Sequence, residues 1–210
     1  MIKIELNKQN SIIFYTKLHI NFFIERQSFI KKLPQEILAI ASNFVQEKDK
    51  MAFLMGRYLI ERQLKKYVNG DLWEQIGVDS YGKPYLKSNN IYFNLSHSGE
   101  WVVLAISEKY KIGIDIEKID TINYYNFENC FNSQEWKNII NSNNIIHEFY
   151  KYWTWKESII KADGRGLSIE LQDVFLGKQY SQIADKSSIF YSEFVNIADE
   201  YKLCVSWEKD

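Results

Sequence analysis

Only two cysteines, Cys130 and Cys204, stand in this chain of 210 residues, and no Cys or His recurs at the close spacing of a zinc site. Both sit in apolar or aromatic surroundings and read as buried reduced thiols, with a disulfide between them as the alternative. Charge of one sign is missing too. The net charge of −1 argues against a nucleic-acid binder, so any anion site must be a local cluster. No apolar run approaches about 20 residues, which excludes a membrane-spanning helix. Met1–Leu6 alternates charged and apolar residues and lacks the apolar centre of a signal peptide. A soluble cytoplasmic protein is expected. Two prolines, Pro34 and Pro84, and no low-complexity stretch leave no room for a disordered linker.

What the chain does have is apolar mass. Hydrophobic residues make up 46% and aromatics 16%, enough to bury a sizeable core as one domain or two small ones. Met1–Leu6 and Ser11–Leu18 read as strands. Pro34 opens a helix at its first position, with Ile37, Leu38, Ala41, Phe44 and Val45 as the buried face. A longer helix is expected over about 48–68, with Met51, Leu54, Met55 and Tyr58 on one stripe and Asn69-Gly70 as its stop. Trp73–Val78 suggests a strand and Ser80–Pro84 a turn. Ile91–Leu95 and Trp101–Ser107 read as strands around a turn at Ser96–Gly99, and Ile112–Glu117 as a third.

The second half repeats this order loosely. Asn132 with Glu135 three residues on forms a capping box, and Phe131 and Trp136 are placed as a hydrophobic staple. A helix over about 148–162 stops at Asp163-Gly164-Arg165-Gly166, and strands follow near 174–176, 189–196 and 201–207. The runs from Phe93 to Ser107 and from Phe194 to Trp207 look like one hairpin used twice. The expected fold class is α+β: two similar halves, 1–110 and 111–210, in pseudo-twofold arrangement with the active site at their interface.

Four elements carry chemistry. Asp115 and Glu117 stand two apart on a strand, so both carboxylates share a face while Ile114 and Ile116 turn inward. Two such charges need a cation, and hard oxygen donors suit Mg²⁺ or Mn²⁺; an isolated Asp-x-Glu is otherwise the solvated face of an edge strand. Trp153, Glu157 and Lys161 recur one helical turn apart on one face, with Tyr152, Trp155, Ile159 and Ala162 on another. Glu157 can act as third metal ligand or general base, and Lys161 can hold phosphate oxygens. Ser96-His97-Ser98-Gly99 offers hydroxyls, an imidazole and free amides as an anion nest. Gly82-Lys83-Pro84 offers a rigid turn with one cation. His19 and His147 have no partner pattern and read as structural or solvent-facing.

In this order and spacing, Gly82-Lys83-Pro84, Phe93–Gly99, Gly113–Glu117 and Trp153…Lys156-Glu157…Lys161…Gly164-Arg165-Gly166-Leu167 resemble the 4′-phosphopantetheinyl transferases. The chain is similar to the larger, pseudo-dimeric type that primes peptide and polyketide synthetases, over about residues 45–170. The resemblance implies coenzyme A bound between the halves and Mg²⁺ held on its diphosphate by Asp115, Glu117 and Glu157. It implies Ser96 and His97 at the 3′-phosphate, Lys83-Pro84 against the adenine end, and Lys156 and Lys161 neutralising the diphosphate. The serine of an apo acyl or peptidyl carrier protein, deprotonated by Glu157 or a metal-held water, would then attack the β-phosphate and release 3′,5′-ADP. A monomer is expected.

One departure stands out. Where related enzymes carry an arginine four residues before the glycine at position 56, this chain has Ala52, with Lys48 or Lys50 as substitutes. Weaker discrimination between coenzyme A and its 3′-dephospho form is the expectation. Two other readings compete with a transferase: a non-catalytic module binding coenzyme A or carrier proteins, and a metal-dependent diphosphate hydrolase. The metal-plus-base set of Asp115, Glu117, Glu157 and Lys161 speaks against the former. Turnover of coenzyme A without any carrier would identify the latter.

Overall fold

The computed structural model describes residues 1–6, 11–18, 26–87 and 90–209; the reading of His19 falls outside them. Strands β1 (Ile2–Leu6), β2 (Ser11–Lys17), β5 (Tyr92–Ser98) and β6 (Trp101–Ser107) form one antiparallel sheet in the order β1-β2-β6-β5. Strands β7 (Ile112–Lys118), β8 (Val174–Phe175), β9 (Ser181–Ile183), β10 (Ile189–Phe194) and β11 (Tyr201–Lys209) form a second, β7-β11-β10-β9-β8. A hairpin of β3 (Ile76–Val78) and β4 (Pro84–Leu86) stands apart. The helices are α1 (Gln27–Ile30), α2 (Gln35–Ser42), α3 (Glu47–Leu64), α4 (Leu72–Gln75), α5 (Ser133–Ile140) and α6 (Ile145–Asp163).

Period-2 alternation builds the layers. On β6, Val102, Leu104 and Ile106 join Leu54, Met55 and Leu59 of α3 in one core. The alternate residues Trp101, Val103 and Ala105 join Ile112, Ile114, Ile116, Leu203 and Val205 of the second sheet in another. The two sheets therefore pack face to face, with α3 outside the first. The far face of the second sheet carries α6, whose Ile159, Ile160 and Ala162 pack with Val174, Ile183 and Phe190.

Gly113 sets how closely α6 lies on β7. A Cβ there would stand 2.1 Å from the Ser158 carbonyl oxygen and 2.2 Å from the Ala162 nitrogen. Only hydrogen at this position lets the helix rest on the strand. Behind α6 an aromatic cluster of Phe131, Trp136, Phe149 and Tyr150, flanked by Trp153, fixes α5. The capping box of Asn132 and Glu135 is present at the start of α5, and the Phe131 and Trp136 rings stack at 6.1 Å.

Several local expectations are corrected. Pro34 is the N-cap of α2, which ends at Ser42, so Phe44 and Val45 fall beyond it and are exposed. The expected strand at Trp73–Val78 begins as the single turn α4, because Asp71 accepts the Trp73 N–H and starts a helix. Ser96, His97 and Ser98 are not a turn. They complete β5, and the turn is Gly99-Glu100, with Gly99 at φ +58°.

Candidate active site

The seam between β5 and β7 is where the chemistry gathers. These two edge strands run side by side, and β5 bonds β7 through side chains instead of backbone. The Ile114 N–H donates to Asn94 Oδ1 (2.9 Å), Ile116 N–H to Ser96 Oγ (3.4 Å) and Lys118 N–H to Ser98 Oγ (3.0 Å). Asn94, Ser96 and Ser98 alternate along one face, so each meets every second amide of β7. The same hydroxyls then reach the acids: Ser96 Oγ donates to Asp115 Oδ1 (3.1 Å) and Ser98 Oγ to Glu117 Oε2 (2.9 Å).

From the other side, α6 brings Lys161 and Glu157. The Lys161 ammonium donates to Asp115 Oδ1 at 2.5 Å and to Ser96 Oγ at 3.1 Å. Burial raises the pKa of Asp115 against the pull of Lys161. Glu117 is pushed up to about 7 by burial and then by the charge of Asp115. Burial, then Asp115, raises Glu157 as well. Asp115 thus raises both of the other carboxylates while burial raises all three, which marks a place short of positive charge.

The fit to a divalent cation rests on a further observation. Asp115 Oδ2 is buried with no hydrogen-bond partner, an orphaned acceptor that a hard cation would satisfy. Among the described residues no group of three Asp, Glu, His or Cys side chains is close enough to enclose an ion alone. The donor chemistry of Asp115, Glu117 and Glu157 suits Mg²⁺, with the remaining ligands left to substrate and water.

His97 parts company with Ser96. It pairs with Val102 across β6, on the α3 side of the sheet, whereas Ser96 faces β7. His97 keeps an exposed surface, yet the protein packed around the ring, then Lys161 and more weakly Arg57, lower its pKa while Asp49 opposes them. Arg57 went unnoticed in the sequence because it lies one residue past Gly56, not four before it. A Cβ on Gly56 would touch Leu95 of β5 at 2.5 Å, so α3 passes beside His97 at this point. Arg57 lies over the Phe53 ring at 3.9 Å, and burial lowers it to about 10. Ala52 is buried in the core and Lys50 lies 3.9 Å from Glu47.

Two expected ligand contacts are corrected. Lys156 is fully buried on the far side of α6 from the carboxylates. Its ammonium pairs with Glu135 at 2.7 Å and donates to the Leu171 (3.0 Å) and Val174 (2.8 Å) carbonyls. All three protons are thereby used, and none is left for a diphosphate. The Lys83 ammonium is likewise turned inward, onto the carbonyls of Ile112, Lys161 and Ala162, and burial lowers it to about 8. Lys83 and Pro84 both line a cavity of about 260 Å³ with Tyr85, Ile91, Tyr92 and Lys111, so what the inward turn removes is the Lys83 ammonium as a free cation, not the residue's place at that cavity. Arg165 bridges Asp163 and Asp185, and so locks the loop after α6.

Comparison with known proteins places the chain in a family. The family described as "4'-phosphopantetheinyl transferase superfamily" matches residues 111–206, and "4'-phosphopantetheinyl transferase, N-terminal" matches residues 25–109. The chain is 37% identical over 145 residues to the 4'-phosphopantetheinyl transferase gsp of Aneurinibacillus migulanus, covering 66% of this chain and 59% of that protein. It is 27% identical over 190 residues to the transferase Sfp of Bacillus subtilis, covering 86% and 84%. To a further 4'-phosphopantetheinyl transferase of Bacillus subtilis it is 32% identical over 171 residues, covering 77% and 76%. With two consecutive family matches and relatives aligned over most of both chains, this protein belongs to the 4′-phosphopantetheinyl transferase superfamily and is a transferase enzyme.

Proposed function

We propose that the enzyme transfers the 4′-phosphopantetheine group of coenzyme A to a serine hydroxyl of an apo acyl or peptidyl carrier protein. The halves 1–110 and 111–210 are read as pseudo-symmetric, with coenzyme A lying across the β5–β7 seam. The observation that carries this reading is the set of Asp115, Glu117 and Glu157, all raised in pKa by burial, with the Lys161 ammonium on Asp115 Oδ1 and Asp115 Oδ2 left without a partner. Such a cluster lacks positive charge; Asp115, Glu117 and Glu157 would hold Mg²⁺, which would offset their charge and that of the diphosphate.

Lys161 holds diphosphate oxygens, and Ser96 keeps its ammonium aimed at them. Glu157, with no ion pair among the described residues and its pKa raised by burial, takes the proton of the incoming serine. The serine oxygen attacks the β-phosphate, the bond to the bridging oxygen breaks, and 3′,5′-ADP leaves. His97 and Arg57 meet the 3′-phosphate, and Pro84 lies at the adenine end. Because one chain supplies both sides of the seam, action as a monomer is proposed, in the cytoplasm. Among the described residues no helix is long and apolar enough to cross a membrane.

The test is release of 3′,5′-ADP from coenzyme A and Mg²⁺, with and without an apo carrier protein. Release only with carrier supports the transferase. Release without carrier indicates a hydrolase, and metal-dependent coenzyme A binding without release a binding module. Glu157→Ala should lower kcat by about 10²–10⁴, the range for loss of a general base; near-normal turnover in the variant would refute its role.

A further inference from the structure

The Lys83 side chain leaves the β3–β4 hairpin, crosses the seam and ends on the last turn of α6. Its Nζ donates to the Lys161 carbonyl, to that of Ala162 at 3.1 Å and to that of Ile112 at 3.3 Å. The first two belong to the four carbonyls that a helix end leaves without an internal partner, where the helix dipole also favours a cation. Among the described residues Lys83 has no carboxylate within ion-pair distance. Its charge is therefore directed at carbonyl oxygens.

Both sides of this contact are prepared for it. In the hairpin, Asp79 Oδ1 accepts the N–H groups of Tyr81 and Lys83, each at 2.9 Å, and the Asp79 N–H donates to the Lys83 carbonyl at 3.0 Å. The turn thus holds Lys83 in one orientation. On α6, Gly164 takes φ +103° as the C-cap, and a Cβ there would stand 3.1 Å from Lys83 Cδ. Glycine at this position both ends the helix and leaves a lane for the lysine stem.

The residue whose carbonyl Lys83 holds is Lys161, whose own ammonium lies on Ser96 and Asp115. We propose that Lys83 is a positioning residue: it clamps the C-terminal turn of α6 to the first half of the chain and thereby sets the Lys161 ammonium in the active site. This rests on the reading that Lys161 acts on the diphosphate. It assigns to Lys83 a task distinct from contact with the nucleotide.

The experiment is a double-mutant cycle of Lys83→Met and Lys161→Ala, read as kcat for carrier modification at saturating coenzyme A, beside amide hydrogen exchange on the same proteins. Lys83→Met should lower kcat about tenfold in the wild-type background and less than about twofold in Lys161→Ala, the non-additivity of residues acting through one another. Exchange at residues 161–164 should accelerate while that of β6 stays as in the wild type. The same fold loss in both backgrounds, or unchanged exchange at that turn, would overturn the proposal. Should Lys83→Met not fold, Lys83→Gln, which keeps a shorter donor, replaces it in the same cycle. A wild type that modifies no carrier refutes the transferase reading, while the exchange measurement still decides whether the clamp exists.

Discussion

Residue by residue, the site was legible where side-chain period alone decides. Asp115 and Glu117 share a face because β7 is a strand, and Ile114 and Ile116 are buried for the same reason. Their protonation is less simple. Glu117, raised from 4.5 to about 7, binds its proton more tightly when folded than unfolded. Its contribution to stability is full below about pH 4.5 and is lost as pH rises through about 7. Metal-free protein should therefore lose melting temperature over that window, Glu117→Gln should flatten the loss, and added Mg²⁺ should stabilise increasingly toward the alkaline end. Thermal scans across pH check this; a Glu117→Gln profile parallel to the wild type would contradict it. Toward α3, Arg57 is a second cation acting on His97, after Lys161. Arg57→Ala should raise KM for coenzyme A about tenfold, leave kcat near normal and leave KM for the 3′-dephospho form unchanged, the signature of binding remote from the reacting atoms. Steady-state kinetics with both substrates decide it.

At the scale of elements, α6 carries two unlike tasks on opposite sides. Glu157 and Lys161 face β7, whereas Lys156 turns into the α5 contact and completes the Glu135 capping box from behind. The sequence did not disclose this. A lysine beside a predicted catalytic glutamate reads as a phosphate ligand, and its partner Glu135 belongs to another helix that only the tertiary fold brings close. Lys156→Met should destabilise by about 3–5 kcal/mol, since it leaves a buried carboxylate unpaired, while kcat per folded molecule changes less than about twofold. Urea unfolding beside active-site titration separates the two effects. The extension of β5 through Ser98 was hidden for a related reason. Ser96, His97 and Ser98 resemble turn filler locally, and their strand conformation comes from pairing with Val103, Val102 and Trp101 of β6, with Ser96 and Ser98 also bonded to β7, which lies beyond that hairpin.

For the molecule as a whole, the decisive arrangement is two sheets packed through Val103, Ala105, Ile114, Ile116 and Val205, with their edges joined by Asn94, Ser96 and Ser98. Helix–strand order and repeated hairpins made an α+β fold legible, because apolar periodicity is local. The joint between the sheets was not, because polar residues pairing with a distant backbone leave no periodic signal. Asn94→Ala strands the buried Ile114 N–H and should cost about 1–3 kcal/mol, measurable by chemical denaturation; a loss under a few tenths would deny the joint its role. The central claim concerns what this seam does. Intact-mass spectrometry of apo acyl- and peptidyl-carrier proteins, incubated with the enzyme, coenzyme A and Mg²⁺, tests it most directly. A mass gain of one phosphopantetheine, absent with EDTA and much reduced with Glu157→Ala, is the predicted result. Carriers of unchanged mass, beside coenzyme A still bound in a metal-dependent way, would contradict it.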